Sequence, residues 1–230
     1  MTFYHQPMLG KVLMEKVLPI NNTDGDVSPT DRKSWILTVI ASFLIIILLA
    51  GIVGLLLPID DDNTTSFVAF FALSIGSVFL AFRFPKMLSF RRITLKMAAI
   101  SILAGAAINL IPGGSGSTHL APYLLYGLSG RIIFIVFICF LLPVIEEIYF
   151  RGLLYPIISK YIGYKAAALI TVTLFTLGHN PSGREVLLLG LSATLYTWLV
   201  HRTGSVISGI LAHSAGNSAW LILAIAAQHS

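Results

Sequence analysis

Apolar runs of about twenty residues, separated by short polar breaks, repeat along most of this chain. The first runs from about Trp35 to Leu57, stops at Pro58, and is followed by Asp60, Asp61 and Asp62. A shorter run covers Phe67 to Phe82, then a loop holds Arg83, Lys86, Arg91 and Arg92. A weaker run from about Ile93 to Ile111 carries Lys96 and Asn109 and ends in the turn-forming stretch Pro112 to Ser117, before a short surface helix from His119 to Leu128. Further runs follow at about Arg131–Ser159, Tyr164–His179, Glu185–Val200 and Ser205–Ala227. An apolar helix of about 20 residues spans the ~30 Å hydrocarbon core of a bilayer. The pattern therefore predicts an all-α, polytopic transmembrane helix bundle of about seven spans (six to eight).

Residues 1–34 are mixed polar and form a cytoplasmic N-terminal segment; residues 35–130 hold the N-terminal spans, and residues 131–230 the remaining core. Within the first segment Val12, Leu13, Val17 and Leu18 suggest a short interfacial helix ended by Pro19, and Asn21 to Lys33 a flexible linker. No continuous apolar stretch there ends in a small-residue cleavage site.

Composition agrees with the pattern. Of 230 residues, 56% are hydrophobic and 11% charged, with a mean hydropathy of +0.87. Soluble domains carry roughly 25% charged residues. The formal net charge of +5 is not a nucleic-acid footprint, because the basic residues fall in short loops between spans. There they set orientation: the N-terminal segment, the 83–96 loop, the 160–165 turn and Arg202 are basic and alternate with basic-poor loops. The positive-inside rule then places the N-terminus in the cytoplasm of a multi-pass cell (inner) membrane protein. Cys139 is the single cysteine, so neither an intramolecular disulfide nor a cysteine metal cluster is available.

One stretch breaks the apolar rule. Between Ile132 and Ser159 the only charges are Glu146, Glu147 and Arg151. A charge at mid-bilayer costs about 2.5–3.5 kcal/mol on insertion scales, and such residues mark functional sites. Glu147 and Arg151 are one turn apart and can pair, whereas Glu146 is rotated roughly 100° away and lacks a local partner. Pro143 removes a backbone donor and predicts a kink one turn earlier. Phe175 and His179 recur at the same spacing in the fifth run, and His213 and Asn217 in the seventh, amid small residues that permit close helix approach. A carboxylate, two imidazoles and an amide on three helices are the parts needed to activate water and hold an oxyanion.

The ordered set resembles a known family. EEIYFR, FTLGH and HSAGN match the EExxxR, FxxxH and HxxxN motifs of the CAAX protease and bacteriocin-processing family. This family comprises intramembrane endopeptidases and includes the type II CAAX prenyl endopeptidases. The resemblance covers about Glu146 to Asn217. It implies Glu146 as general base, His179 as its partner, His213 and Asn217 as the oxyanion hole, Glu147 and Arg151 as a supporting pair, and Phe175 as packing. The implied activity is hydrolysis of a peptide bond in a membrane-embedded or membrane-anchored substrate. Glu146, His179 and His213 could alternatively supply three zinc ligands, but no HExxH motif is present and a mechanism without metal is favoured. The competing reading within the family is a non-catalytic membrane scaffold or bacteriocin-immunity protein. A proton or ion transporter would need a file of ionisable groups, which the first two spans lack.

Overall fold

A computed structural model describes residues 29–56, 62–108, 110–111, 127–179, 181 and 183–227. Described residues form seven helices and no strand. They are α1 (Pro29–Leu56), α2 (Asp62–Arg83), α3 (Leu95–Ile108), α4 (Leu128–Ile162), α5 (Tyr164–Gly178), α6 (Arg184–Thr203) and α7 (Val206–Ala226). Each predicted run from Trp35 onward corresponds to one helix, with ends shifted by a few residues. The interfacial helix and linker expected before residue 29, Pro58 to Asp61, Asn109, the Pro112–Ser117 turn, the 119–126 surface helix and Asn180 lie outside the described residues.

Backbone chemistry accounts for the breaks. Pro29 opens α1, where its missing N–H is no loss. Gly163 (φ 84°) separates α4 from α5, and Gly204 (φ 64°) ends α6 in the left-handed region that side chains with a Cβ avoid. Ser205 then caps α7, its hydroxyl accepting from the Ile207 N–H at 3.3 Å.

α4 is the axis of the fold. At 35 residues it is about 50 Å long. It is not a uniform α-helix: Phe137–Leu141 and Ile148–Leu154 are π-helical and frame the short α-segment Leu142–Glu147. The distortion expected from Pro143 thus takes the form of a π turn on its N-terminal side, which accommodates the missing N–H without breaking the helix.

The main core packs α1, α2 and α5 on the second half of α4, through Trp35, Leu73, Leu80, Tyr149, Leu153 and Phe175. Tyr149 is fully buried, and its hydroxyl lies 3.1 Å from that of Ser42 on α1. The first half of α4 packs on the end of α7 through Phe134, Cys139, Leu221 and Ala224. α3 lies on α7 so closely that a Cβ on Gly105 would run into the Ala212 carbonyl oxygen. Small residues permit this backbone approach, as in membrane helix pairs.

α4 and α7 are long and apolar enough to cross a bilayer; α1, α2, α3 and α5 carry shorter apolar stretches. Large apolar side chains face outward along the bundle, among them Val78 and Leu169, each 70% exposed. A soluble monomer rarely presents contiguous apolar surface on this scale.

Candidate active site

The site grows from the α-segment Leu142–Glu147. Both of its carboxylates are buried: Glu146 is 6% exposed and Glu147 fully enclosed. Arg151 follows one turn later, in the second π turn, and is also buried. Its Nη1 donates to Glu147 Oε1 at 2.8 Å, which confirms the pairing expected from the four-residue spacing.

α6 finishes the seat of the guanidinium. Arg151 Nη2 donates to the Ala193 carbonyl at 3.1 Å and Nε to Thr197 Oγ1 at 3.3 Å. Thr197 is free to accept because its own hydroxyl proton goes to the Ala193 carbonyl at 2.8 Å. The Arg151 cation lies over Phe175, 4.3 Å from its centroid, and within 5.6 Å of the Tyr196 ring. Phe175, 1% exposed, is therefore the aromatic floor of the cluster.

His213 enters from α7 and stacks on Tyr196, with centroids 4.9 Å apart and planes at 21°. Its Nδ1 lies 3.0 Å from Glu147 Oε1 and its Nε2 3.7 Å from Glu146 Oε2. A carboxylate paired with arginine can only accept, so Nδ1 carries a proton and donates to Glu147. The two glutamates, divergent on their helix, thus meet opposite edges of one imidazole. Glu147 contacts His213 and Arg151, so its support reaches Glu146 through the histidine. Glu147 Oε2 is buried with no hydrogen-bond partner among the described residues. It faces Gly209, where a Cβ would sit 2.7 Å away.

His179 occupies the end of α5 and is exposed. Its Nδ1–H donates to the Phe175 carbonyl at 2.8 Å, which leaves Nε2 as the functional nitrogen. Its ring reaches the cluster through Phe175, whose centroid is 4.5 Å from His179 and 5.8 Å from His213.

Asn217 lies one turn beyond His213, and its amide donates to the Ile138 carbonyl at 2.9 Å. That bond has a local cause. In the first π turn the Leu142 N–H bonds to the Phe137 carbonyl. The next rung would run from residue 143 to Ile138, but Pro143 has no N–H. Asn217 supplies the missing donor. A carboxamide has two N–H groups, so one remains for other use.

Among the described residues, no three His, Cys, Asp or Glu side chains are grouped so as to hold a metal ion. Of the residues named as possible zinc ligands, Glu146 and His213 lie together, with His213 Nε2 3.7 Å from Glu146 Oε2, and His179 stands at the exposed end of α5. Three elements of the site went unread in the sequence: Tyr196, Thr197 and the Ala193 carbonyl; Gly209 belongs to the small residues expected around His213 and Asn217. The polar pair Tyr196-Thr197 inside an apolar run is the one visible hint.

Glu146, Glu147 and Arg151 of α4 and His213 of α7 thus form one buried cluster in an all-helical bundle. Residues 128–219 match the family model described as "Type II CAAX prenyl endopeptidase Rce1-like", in agreement with the resemblance to the CAAX protease and bacteriocin-processing family carried by the three motifs. The matched segment contains every candidate residue, and the family is a protease family. No curated protein and no solved structure gives a significant match.

Proposed function

We propose that the protein is an intramembrane endopeptidase that hydrolyses a peptide bond of a membrane-embedded or membrane-anchored substrate. The observation that carries this reading is the position of Glu146: buried, next to a histidine already committed at its far nitrogen to Glu147, and outside the Glu147–Arg151 pair. A scaffold has use for the pair but none for the additional carboxylate.

In the proposed reaction, Glu146 takes a proton from water as the oxygen attacks the scissile carbonyl, and His179 Nε2 orients that water. The carbonyl oxygen becomes an oxyanion. It accepts from the second N–H of Asn217 and from Nε2–H of a doubly protonated His213, for which Glu147 is the counter-ion. Glu146 then passes its proton to the leaving nitrogen as the C–N bond breaks, giving a carboxylic acid and an amine. With Glu146 ionised, before it takes the proton, the cluster formed by Arg151, doubly protonated His213, Glu146 and Glu147 has no net charge, and afterwards the oxyanion balances it, which limits the cost of keeping it in a low dielectric. In the zinc alternative Glu146, His179 and His213 would be the ligands, His213 through Nε2 while its Nδ1–H stays on Glu147.

The surrounding bundle is read as a seven-span, multi-pass cell membrane protein with its N-terminus and basic loops in the cytoplasm. Outward-facing apolar side chains and the alternation of basic and basic-poor loops support this. Cleavage of candidate membrane peptides by purified protein tests the reading. Glu146→Gln should lower the rate by about 10²–10⁴-fold, the usual worth of a general base, while leaving thermal unfolding in detergent near that of the parent. His179→Ala should also lose activity. Cleavage at the parent rate in both variants would overturn the catalytic roles given to Glu146 and His179, and no cleavage by the parent would favour the scaffold or immunity role. Elemental analysis, with activity before and after chelation, addresses zinc: loss on chelation and rescue by zinc would replace the mechanism above.

A further inference from the structure

The segment joining α2 to α3 is a strap across one end of the bundle, and it is unusually well fastened. The Ser89 hydroxyl donates to the Gly204 carbonyl at 2.8 Å, the Val206 N–H to the Ser89 carbonyl at 3.0 Å, and the Ser205 hydroxyl to the Arg91 carbonyl at 2.7 Å. These bonds clamp the strap to the turn between α6 and α7. Leu88 points inward onto Gly152, where a Cβ would sit 2.6 Å from Leu88 Cδ1. Gly152 directly follows Arg151, so the inner side of the strap rests on the helix that carries the site.

The outer side has a different chemistry. Lys86, Arg91, Arg92 and Lys96 are exposed, and none pairs with an acidic side chain among the described residues. No Asp or Glu occurs between Arg83 and Lys96. Large apolar side chains alternate with these cations and also face outward: Phe82 is 91% exposed, Leu95 87% and Phe90 52%. Exposed cations mixed with exposed aromatic and aliphatic side chains, held on a fixed backbone at a bundle end, match the two layers of a membrane interface, phosphate above and acyl chain below.

We propose that the strap is a binding site for anionic phospholipid headgroups, which brace the α6–α7 turn and, through Leu88, the Arg151 segment of α4. Lys86, Arg92 and Lys96 contact lipid phosphate while Phe82, Phe90 and Leu95 enter the acyl boundary. The proposal rests on the membrane embedding argued above but not on peptidase activity, so it can be tested without a substrate.

Purified full-length protein is reconstituted in phosphatidylcholine alone or mixed with phosphatidylglycerol; thermal unfolding and retained phosphatidylglycerol by native mass spectrometry are then measured. Phosphatidylglycerol should raise Tm, and salt should shrink the rise. Lys86→Gln and Arg92→Gln should each weaken phosphatidylglycerol binding about fivefold, with Arg92→Lys close to the parent. Inorganic phosphate should leave Tm unchanged. Equal Tm in both lipids, or Gln variants that respond like the parent, would overturn the proposal. So would an equal shift with phosphate, which would indicate a free-anion site. Release of the protein from membranes by alkaline carbonate would sink the embedding and the lipid site together, whereas retention without any phosphatidylglycerol effect would sink the lipid site alone.

Discussion

Arg151 makes more polar contacts than any other side chain of the site, and replacing it separates structure from chemistry. Arg151→Ala leaves the buried Glu147 carboxylate with His213 in place of two cationic partners, a change of about 3–5 kcal/mol, and should appear as a large fall in thermal stability in detergent. Arg151→Lys keeps the charge but cannot reach Glu147, the Ala193 carbonyl and Thr197 together, because an ammonium lacks the planar fork. It should recover only part of the loss. Glu146→Gln should leave the same melting curve almost unmoved, so the pair of measurements tells the supporting group from the proposed base. These charged positions were legible in the sequence, because a charge inside a long apolar run is costly and stands out against all its neighbours. Their partners were not. Spacing paired Glu147 with Arg151, yet nothing local indicates that Glu147 also holds His213 or that a backbone carbonyl of Ala193 and the hydroxyl of Thr197 take two more of the guanidinium protons. Those contacts arise from the approach of α6 and α7.

At the scale of elements, the first π turn and α7 are chemically complementary. Removing the Asn217 amide leaves the Ile138 carbonyl unpaired, and Asn217→Ala should destabilise by about 1–3 kcal/mol. In a Pro143→Ala background residue 143 regains an N–H, and the same Asn217 change should be milder by about 1 kcal/mol. A double-mutant cycle from unfolding in detergent measures that coupling; additive effects would rule the pairing out. Helix existence and order were readable from the hydrophobic runs and the polar residues between them, whereas the left-handed turns at Gly163 and Gly204 emerge only in the structure. The π turns were not, because the proline that accompanies one of them is equally compatible with a kink. Asn217 shows the limit most clearly. Its motif position suggests an oxyanion donor, while the structure shows that one of its two donors repairs α4.

On the scale of the whole molecule, the end of the bundle that carries the strap has a pH response of its own. His201 lies at the end of α6, past its apolar stretch, with Nδ1 2.8 Å from the Tyr155 hydroxyl and its ring stacked on Tyr164. Burial, and then the neighbouring Arg202 charge, lower its pKa from the ordinary 6.5. The unfolded chain therefore binds a proton at higher pH than the folded one. Stability should be insensitive to this group above about 6.5 and decline as pH falls below it. His201→Asn should flatten that part of a Tm-against-pH curve.

The two π turns have a consequence for how the site is kept in phase. Each holds a residue more than a regular α-helix would, and the six residues Leu142–Glu147 lie between them. An α-helix turns by about 100° per residue. A π turn takes up its additional residue within about one turn of helix. Losing a single residue from Phe137–Leu141 would therefore make α4 a more regular helix with Glu146 and Glu147 in nearly the same phase relative to Leu128–Val136. The irregularity acts as a slack turn along α4: it admits an additional residue while Glu146 and Glu147 stay aimed at His213 of α7.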